Sequence, residues 1–462
     1  MIGRSWHAAG VASLTVAAFA SYLVLSLTKH RLFRTTTIDL TIFDQAVRGY
    51  AAFQAPTSAA KGFSVGQDAA FNQLGDHFSP ILALLAPAYW VHDGPESLLV
   101  AQAALFALAT VPIWAYTRRR LGPVPAYLVA VTYVVSWPVA QAVNFDFHEV
   151  AFVPLLCAIM IERFDAGRTY ATAAAAAALL LVKEDMGLMV AAFGGFAVLR
   201  GRRLQGAAYI AAGVCYVLLV RAVLIPAMGG DTGAHWTYHQ FGTDIPQAVV
   251  KIVSDPLHTL QVLTTPAVKV DTTLLLLWIA LLACLYSPLI LMAVPHLLER
   301  MLADRSNWWT TDYHYDAFTV VVVLLAGVDA VAGLPRRFAL AWAACACAVA
   351  LTLMPRFALG QLIRPEFYQS DTAAAEQAVA SVPDGVLVEA VNNLGPHLSA
   401  RTTVLLWDGP AHAPWVVADT ARPAFPWSSV DLQRARVEEL KRSGYGVVFE
   451  RDGYVVLNRP TG

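Results

Sequence analysis

The carboxylates and histidines of this chain gather in short runs where apolar segments end. The runs are Asp39-Leu-Thr-Ile-Phe-Asp44, Gly75-Asp76-His77-Phe78-Ser79-Pro80, Asn144-Phe145-Asp146-Phe147-His148-Glu149 and Lys183-Glu184-Asp185. Such groups are costly at membrane depth, so a cluster of them points to function. An aspartate held there can take the proton of a substrate hydroxyl. Lys183, Arg48 and a protonated His77 can hold a phosphate, with Glu184 and Asp185 as partners or metal ligands. Asp146, His148 and Glu149 are candidate ligands for a divalent cation, although their spacing fixes no particular metal and no cofactor is assigned. His314 and Tyr315 add an imidazole and a phenol in a loop that also holds Trp308 and Trp309.

Asp39 and Asp44 stand five residues apart. A helix turns by about 500° over that distance, so the two carboxylates diverge by about 140°. One can face a cavity while the other does something else; Asp39 is placed to cap a helix start. Each run also has a plainer reading as caps, solvated charge or a structural salt bridge. Their recurrence on one side of the membrane favours a site.

With 57% hydrophobic and 14% charged residues over 462 positions and a mean hydropathy of +0.53, the chain is too apolar for an ordinary soluble protein. It reads as a multi-pass helical protein of the cell membrane, with the lipid bilayer as its first partner. A formal net charge of -1 and the lack of a basic run give no sign of a nucleic-acid partner, and none is expected. The five cysteines lie in apolar segments without metal-like spacing and read as small buried hydrophobes.

Arginine clusters at Arg118-Arg119-Arg120, Arg163 with Arg168, Arg200 with Arg202 and Arg203, and Arg336-Arg337 mark cytoplasmic loops, which puts every acidic run outside. The apolar runs between them count to about eleven crossings. Several are short, notably 149-162, 170-182 and the pair flanking Ser287-Pro288. The first, at 8-28, is expected to be an uncleaved helix. Residues 1-354 then form the transmembrane domain, with outer loops at 35-96 and 227-271. In the first loop Leu40, Phe43 and Val47 share a helical face, as on a helix lying along the interface. The second reads as a loop or cap with little regular structure. Gly194-Gly195 reads as a helix-packing contact.

Beyond Met354 the composition becomes that of a soluble domain. Helical patterns at 371-381 and 430-442 mix with strand-like runs at Val386-Val388, Thr403-Leu406, Trp415-Val417, Gly446-Phe449 and Tyr454-Leu457. Residues 355-462 are therefore expected to form a small extracytoplasmic α/β domain.

The runs Asp39 to Gln45, His77-Phe-Ser-Pro80, Phe145 to Glu149, Lys183 to Asp185 and His314-Tyr315, with Leu394-Gly-Pro-His-Leu-Ser-Ala-Arg401, resemble the membrane proteins of domain-of-unknown-function family 2079 over most of the chain. That likeness implies no activity. More distantly, the order of parts is similar to the GT-C superfamily of polyprenyl-phosphate-sugar glycosyltransferases, such as protein O-mannosyltransferases and lipid A aminoarabinose transferases. In the mannosyltransferases a His-Pro-Pro-Leu-like segment leads into an apolar helix and a span ending in arginines; His77-Phe-Ser-Pro80 through Arg118-Arg119-Arg120 is similar. Those enzymes carry an adjacent Asp-Glu pair, whereas Asp39 and Asp44 are separated.

The resemblance implies a GT-C-like fold and an integral membrane glycosyltransferase. It would move a sugar from a polyprenyl-phosphate donor to an extracytoplasmic acceptor: a cell-envelope glycan, lipid or protein. Asp44 or Asp39 would be the base, with Arg48, Asp76, His77, Asp146, His148, Lys183, Glu184, Asp185, His314 and Tyr315 around the substrate. The competing reading is a transporter or flippase of a polar or lipid-linked substrate, its membrane acids carrying protons.

Overall fold

The computed structural model describes residues 2–233, 236–409 and 411–460, with residues 2–5 described by their backbone alone. The Ile2–Arg31 helix leads through a π-helical turn, Thr37–Thr41, into the Ile42–Ala51 helix. Leu40, Phe43 and Val47 pack in one buried cluster with Leu82, Tyr89, Leu98 and Phe147. The apolar run after His77 is a 3-10 turn, Pro80–Leu85, followed by a short helix, Ala86–Tyr89.

Among the described residues, five helices are long and apolar enough to cross a membrane: Trp6–Arg31, Glu96–Leu121, Pro123–Asn144, Arg203–Ala227 and Arg336–Arg356. The pair Pro256–Thr264 and Val268–Trp278, bent by 75°, raises this to six if it is one span. The expectation of about eleven crossings is corrected accordingly. Phe152–Asp165 and Met186–Leu199 have 14 residues each and Thr169–Leu180 has 12. At 1.5 Å per residue such helices reach about 18–21 Å, against a hydrocarbon core of about 30 Å. Protein holds the two longer ones: Met160 and Phe193 lie in the buried core with nearly all of Ala317–Val331, whereas Thr169–Leu180 buries only Thr172, Ala175, Ala176 and Leu179. The 227-271 loop also differs from expectation, since it contains the Ile245–Ser254 and Pro256–Thr264 helices.

Met186–Leu199 packs closely on Arg203–Leu219. A Cβ on Gly194 would stand 2.6 Å from the Gly206 carbonyl oxygen, so only glycine permits this approach. At one end of the bundle the arginine clusters meet buried carboxylates. Arg119 bonds Glu162 and Asp165, while Arg120 and Arg200 converge on Asp329, which also accepts from the Ser287 hydroxyl.

The C-terminal region carries β1 (Leu387–Ala390), β2 (Thr403–Leu406), β3 (Trp415–Asp419), β4 (Gly446–Arg451) and β5 (Tyr454–Asn458). They form one sheet in the order β2-β1-β3-β5-β4, with β1 parallel to β2 and β3, and β5 antiparallel to β3 and β4. The Ala373–Ala380 and Val430–Arg442 helices bury Ala378 and Leu440 with Val388, Val416 and Val456.

This region docks on the turn that carries Asp39. Thr37 N–H donates to the Asn392 carbonyl at 2.7 Å, Ile38 N–H to the Asn392 side-chain oxygen at 3.2 Å, and Gln45 Nε2 to the Val404 carbonyl at 2.9 Å. Gly395 makes the approach possible, because a Cβ there would lie 2.0 Å from Thr37 Oγ1. The His397 ring stacks on His30 of the first helix, centroids 4.2 Å apart.

Candidate functional site

A cavity of about 1160 Å³ brings together Asp39, Asp76, His77, His148, Glu149, Lys183, Glu184, Asp185, His314 and Tyr315. Asp44, Arg48 and Asp146 are not among its lining residues. Asp39 sits in the π-helical turn, and its Oδ1 is 3.2 Å from His148 Nε2. Asp44, one helical segment later, is fully buried. It accepts from the Tyr89 hydroxyl at 2.7 Å and from Arg48 Nη2 at 3.2 Å to both oxygens, and Arg48 in turn also bonds Asp93. The divergence of the two carboxylates along the helix thus gives one to the cavity and one to packing.

His148 is aimed by its loop. Asp146 has a left-handed backbone, φ 74°, which aspartate tolerates better than most residues. Its carboxylate accepts from Thr36 N–H and Oγ1, both at 2.8 Å, and lies 3.8 Å from Lys29 Nζ. Two residues on, the His148 N–H donates to Gln102 Oε1 at 3.1 Å. The imidazole that these anchors hold against Asp39 stacks on His314, centroids 3.7 Å apart. Burial, reinforced by the charges of His148, Lys183 and Arg300, pushes His314 well below the usual histidine range, so this ring is neutral.

Lys183 Nζ lies 3.7 Å from Asp185 and 4.0 Å from Glu149. Burial opposes its charge, but Asp185, Glu149, Glu184 and Glu299 outweigh burial and keep it protonated. Glu184 accepts from the Phe78 N–H at 3.2 Å and sits 2.9 Å from His77 Nδ1. Burial works against charge on both partners; the attraction between them prevails, lowering Glu184 and raising His77. Asp76 pairs with Lys61 at 2.8 Å.

Sequence reasoning missed Arg221, His296 and Glu299, all of which line the cavity. Arg221 is a lone cation within the apolar Arg203–Ala227 span, a signal of a protein-facing charge. His296 and Glu299 are three apart on the Val294–Leu302 helix and so share a face. The Asp146, His148, Glu149 set does not converge on one ion, because the Asp146 carboxylate is turned to Thr36 and Lys29. Among the described residues, the ligand atoms of Asp185, His296 and Glu299 do converge, all within 4.8 Å of one another.

The cavity wall also contains Ile245 and Pro246, which open the Ile245–Ser254 helix. Val249, Val250 and Val253 of that helix, and Leu257 and Leu260 of the next, are exposed. An apolar surface of this kind at the edge of a membrane protein suits lipid.

A family model described as "Predicted membrane protein (DUF2079)" matches residues 29–456. The chain belongs to this family. A search of curated protein sequences finds no match. Among solved structures, the DUF2079 chain is similar to ArnT from Cupriavidus metallidurans in the apo state, with a TM-score of 0.52 and 14% identity over 97% of this chain and 98% of that one. It is likewise similar to the archaeal oligosaccharyltransferase AglB from Archaeoglobus fulgidus, in complex with an inhibitory peptide and a dolichol-phosphate. There the TM-score is 0.52 and the identity 12%, over 100% of this chain and 75% of that one. Both neighbours are GT-C glycosyltransferases, and the fold of this membrane protein is GT-C-like.

Proposed function

We propose that this DUF2079 protein is an integral membrane glycosyltransferase that moves a sugar from a polyprenyl-phosphate donor to an extracytoplasmic acceptor, and that Asp39 rather than Asp44 is its base. The observation that carries the reading is the pairing of a cavity-facing Asp39 carboxylate with His148 at 3.2 Å, while Lys183 and Arg221 supply positive charge to the same cavity. Asp39 takes the proton of an acceptor hydroxyl as that oxygen bonds the anomeric carbon. The bond from that carbon to the phosphate oxygen breaks, and the phosphate leaves with its electron pair and carries the added charge. Lys183 and Arg221 stabilise that charge. His148, fixed by Gln102 and stacked on neutral His314, orients the Asp39 carboxylate.

The exposed valines and leucines beside the cavity support a lipid-linked donor, and the dolichol-phosphate and peptide bound to AglB are consistent with a lipid carrier and a separate acceptor. Chain direction supports an outward-facing site. The Glu96–Leu121 helix ends in the arginines 118–120, and Pro123–Asn144 returns to the His148 loop. The arginine-rich end belongs in the cytoplasm, which gives the site and the docked C-terminal domain to the outer face. The test is transfer of labelled sugar from a panel of synthetic polyprenyl-phosphate sugars by purified protein. Label that leaves the carrier with wild type and not with Asp39→Asn supports the reading. Substrate movement across sealed vesicles with no covalent transfer would replace it with a transporter.

A further inference from the structure

We propose that Asp185, His296 and Glu299 form a binding site for a divalent transition cation, Mn²⁺ or Zn²⁺, in the wall of the cavity. Two elements supply it. Asp185 stands at the start of the Met186–Leu199 helix, and His296 and Glu299 face it from consecutive turns of Val294–Leu302. One ligand atom from each residue lies within 4.8 Å of the other two, with His296 Nδ1 3.4 Å from Glu299 Oε2.

The hydrogen bonding of this cluster is incomplete, which leaves Asp185 Oδ1 and one ring nitrogen of His296 available to a cation. His296 is 2% exposed, yet its Nε2 has no hydrogen-bond partner, and the buried Asp185 Oδ1 has none either. A buried polar atom left unpaired costs about 1–3 kcal/mol. Lys183 already attends the other oxygen, Asp185 Oδ2, at 3.7 Å, so the unpaired oxygen is the one left for an ion. One imidazole with two carboxylates suits Mn²⁺ or Zn²⁺; Mg²⁺ and Ca²⁺ prefer oxygen alone. Three protein ligands leave a coordination position open to the cavity, as in sites that take water or a ligand rather than in closed structural ones.

Binding does not depend on the transferase reading and is measured without turnover. The full chain in lipid nanodiscs, stripped with chelator, is titrated with Mn²⁺ and Zn²⁺ by calorimetry and by metal analysis after desalting. His296→Ala and Glu299→Gln are run beside His239→Ala, an exposed histidine that reports surface binding. Wild type and His239→Ala are expected to bind one equivalent, and each ligand variant to weaken binding by more than the roughly 10–100-fold cost of losing an outer partner. Pulsed electron paramagnetic resonance of Mn²⁺ on wild type should show coupling to an imidazole nitrogen, which needs no variant to fold. No stoichiometric binding, unchanged binding in His296→Ala, or Mn²⁺ without nitrogen coupling would each overturn the site.

Discussion

Exchanging Asp39, on the cavity-facing turn, and Asp44, on the helix that follows it, for asparagine one at a time separates catalysis from packing. Asp44→Asn keeps an oxygen for the Tyr89 hydroxyl, now 2.7 Å away, but removes the charge that holds Arg48 at 3.2 Å. Breaking a fully buried pair costs about 3–5 kcal/mol. Arg48 is 27% accessible and retains Asp93, so a loss of about 2 kcal/mol in stability is expected. Asp39→Asn works the other way. Its side chain is 21% accessible and its one polar neighbour among the hydrogen bonds is His148, so stability should change by less than about 1 kcal/mol. Removing a general base, however, costs about 100- to 10,000-fold in rate, or about 3–5 kcal/mol of barrier. Thermal unfolding and labelled-sugar transfer on the same preparations give the two readouts. The expected pattern is crossed: Asp44→Asn melts earlier but transfers at a near-normal rate once folded, and Asp39→Asn melts normally but does not transfer. An Asp39→Asn protein with full activity, or an Asp44→Asn protein that is inactive at unchanged stability, would refute the assignment.

Lys183→Ala should lower the transfer rate by about 100- to 1,000-fold with a smaller change in KM, as expected when a charge that acts on the leaving phosphate is lost; a pure KM effect would make Lys183 a binding group only. Gly395→Ala should reduce transfer by forcing the C-terminal domain off the Thr37–Thr41 turn, and Thr37→Ala on top of it should restore part of the activity, because the two side-chain positions share one space. The buried Glu389 carboxyl, pushed up to about 7 mainly by burial, makes the C-terminal domain pH-sensitive. Its folded value lies above the ordinary 4.5, so the folded form binds more protons between the two values and the domain loses stability as pH rises through that window, with the full cost above 7. At about 1.4 kcal/mol per pH unit the loss is about 3 kcal/mol. Glu389→Gln should abolish most of this slope in hydrogen exchange of β1 and β3, corrected for intrinsic rates; an unchanged slope would assign it to another group.

The C-terminal sheet was legible because each strand alternates or clusters apolar residues between turn residues. All five expected runs overlap observed strands, and both expected helices form. Their order was not legible: that β5 pairs with both β3 and β4 depends on contacts between residues far apart in sequence. The membrane region misled in a definite direction. Hydropathy reports how apolar a run is, and Ala317–Val331 is as apolar as any true span. Its length and near-complete burial make it a core element instead, a distinction that resides in the neighbours. The arginine clusters also pack: Arg120 and Arg200, from separate clusters, find the same buried Asp329.

The site was legible in its residue types and only partly in its geometry. Polar residues at the ends of apolar runs stand out, which is why Asp39, His77, His148, Lys183 and His314 could be named and do share one cavity. Which of two nearby aspartates faces that cavity turned on a π-helical turn, and Asp146 was drawn off by a left-handed backbone at φ 74°; neither leaves a mark in composition. Polar residues inside apolar runs are harder to see. Arg221, His296 and Glu299 were absorbed into segments counted as spans, although a charge in such a segment is the very thing a bilayer would reject. The two cases differ. Arg221 lies on a helix long enough to cross, its side chain turned to the cavity, whereas His296 and Glu299 lie on Val294–Leu302, only 9 residues long, where the cavity wall holds a histidine and a glutamate that lipid would not.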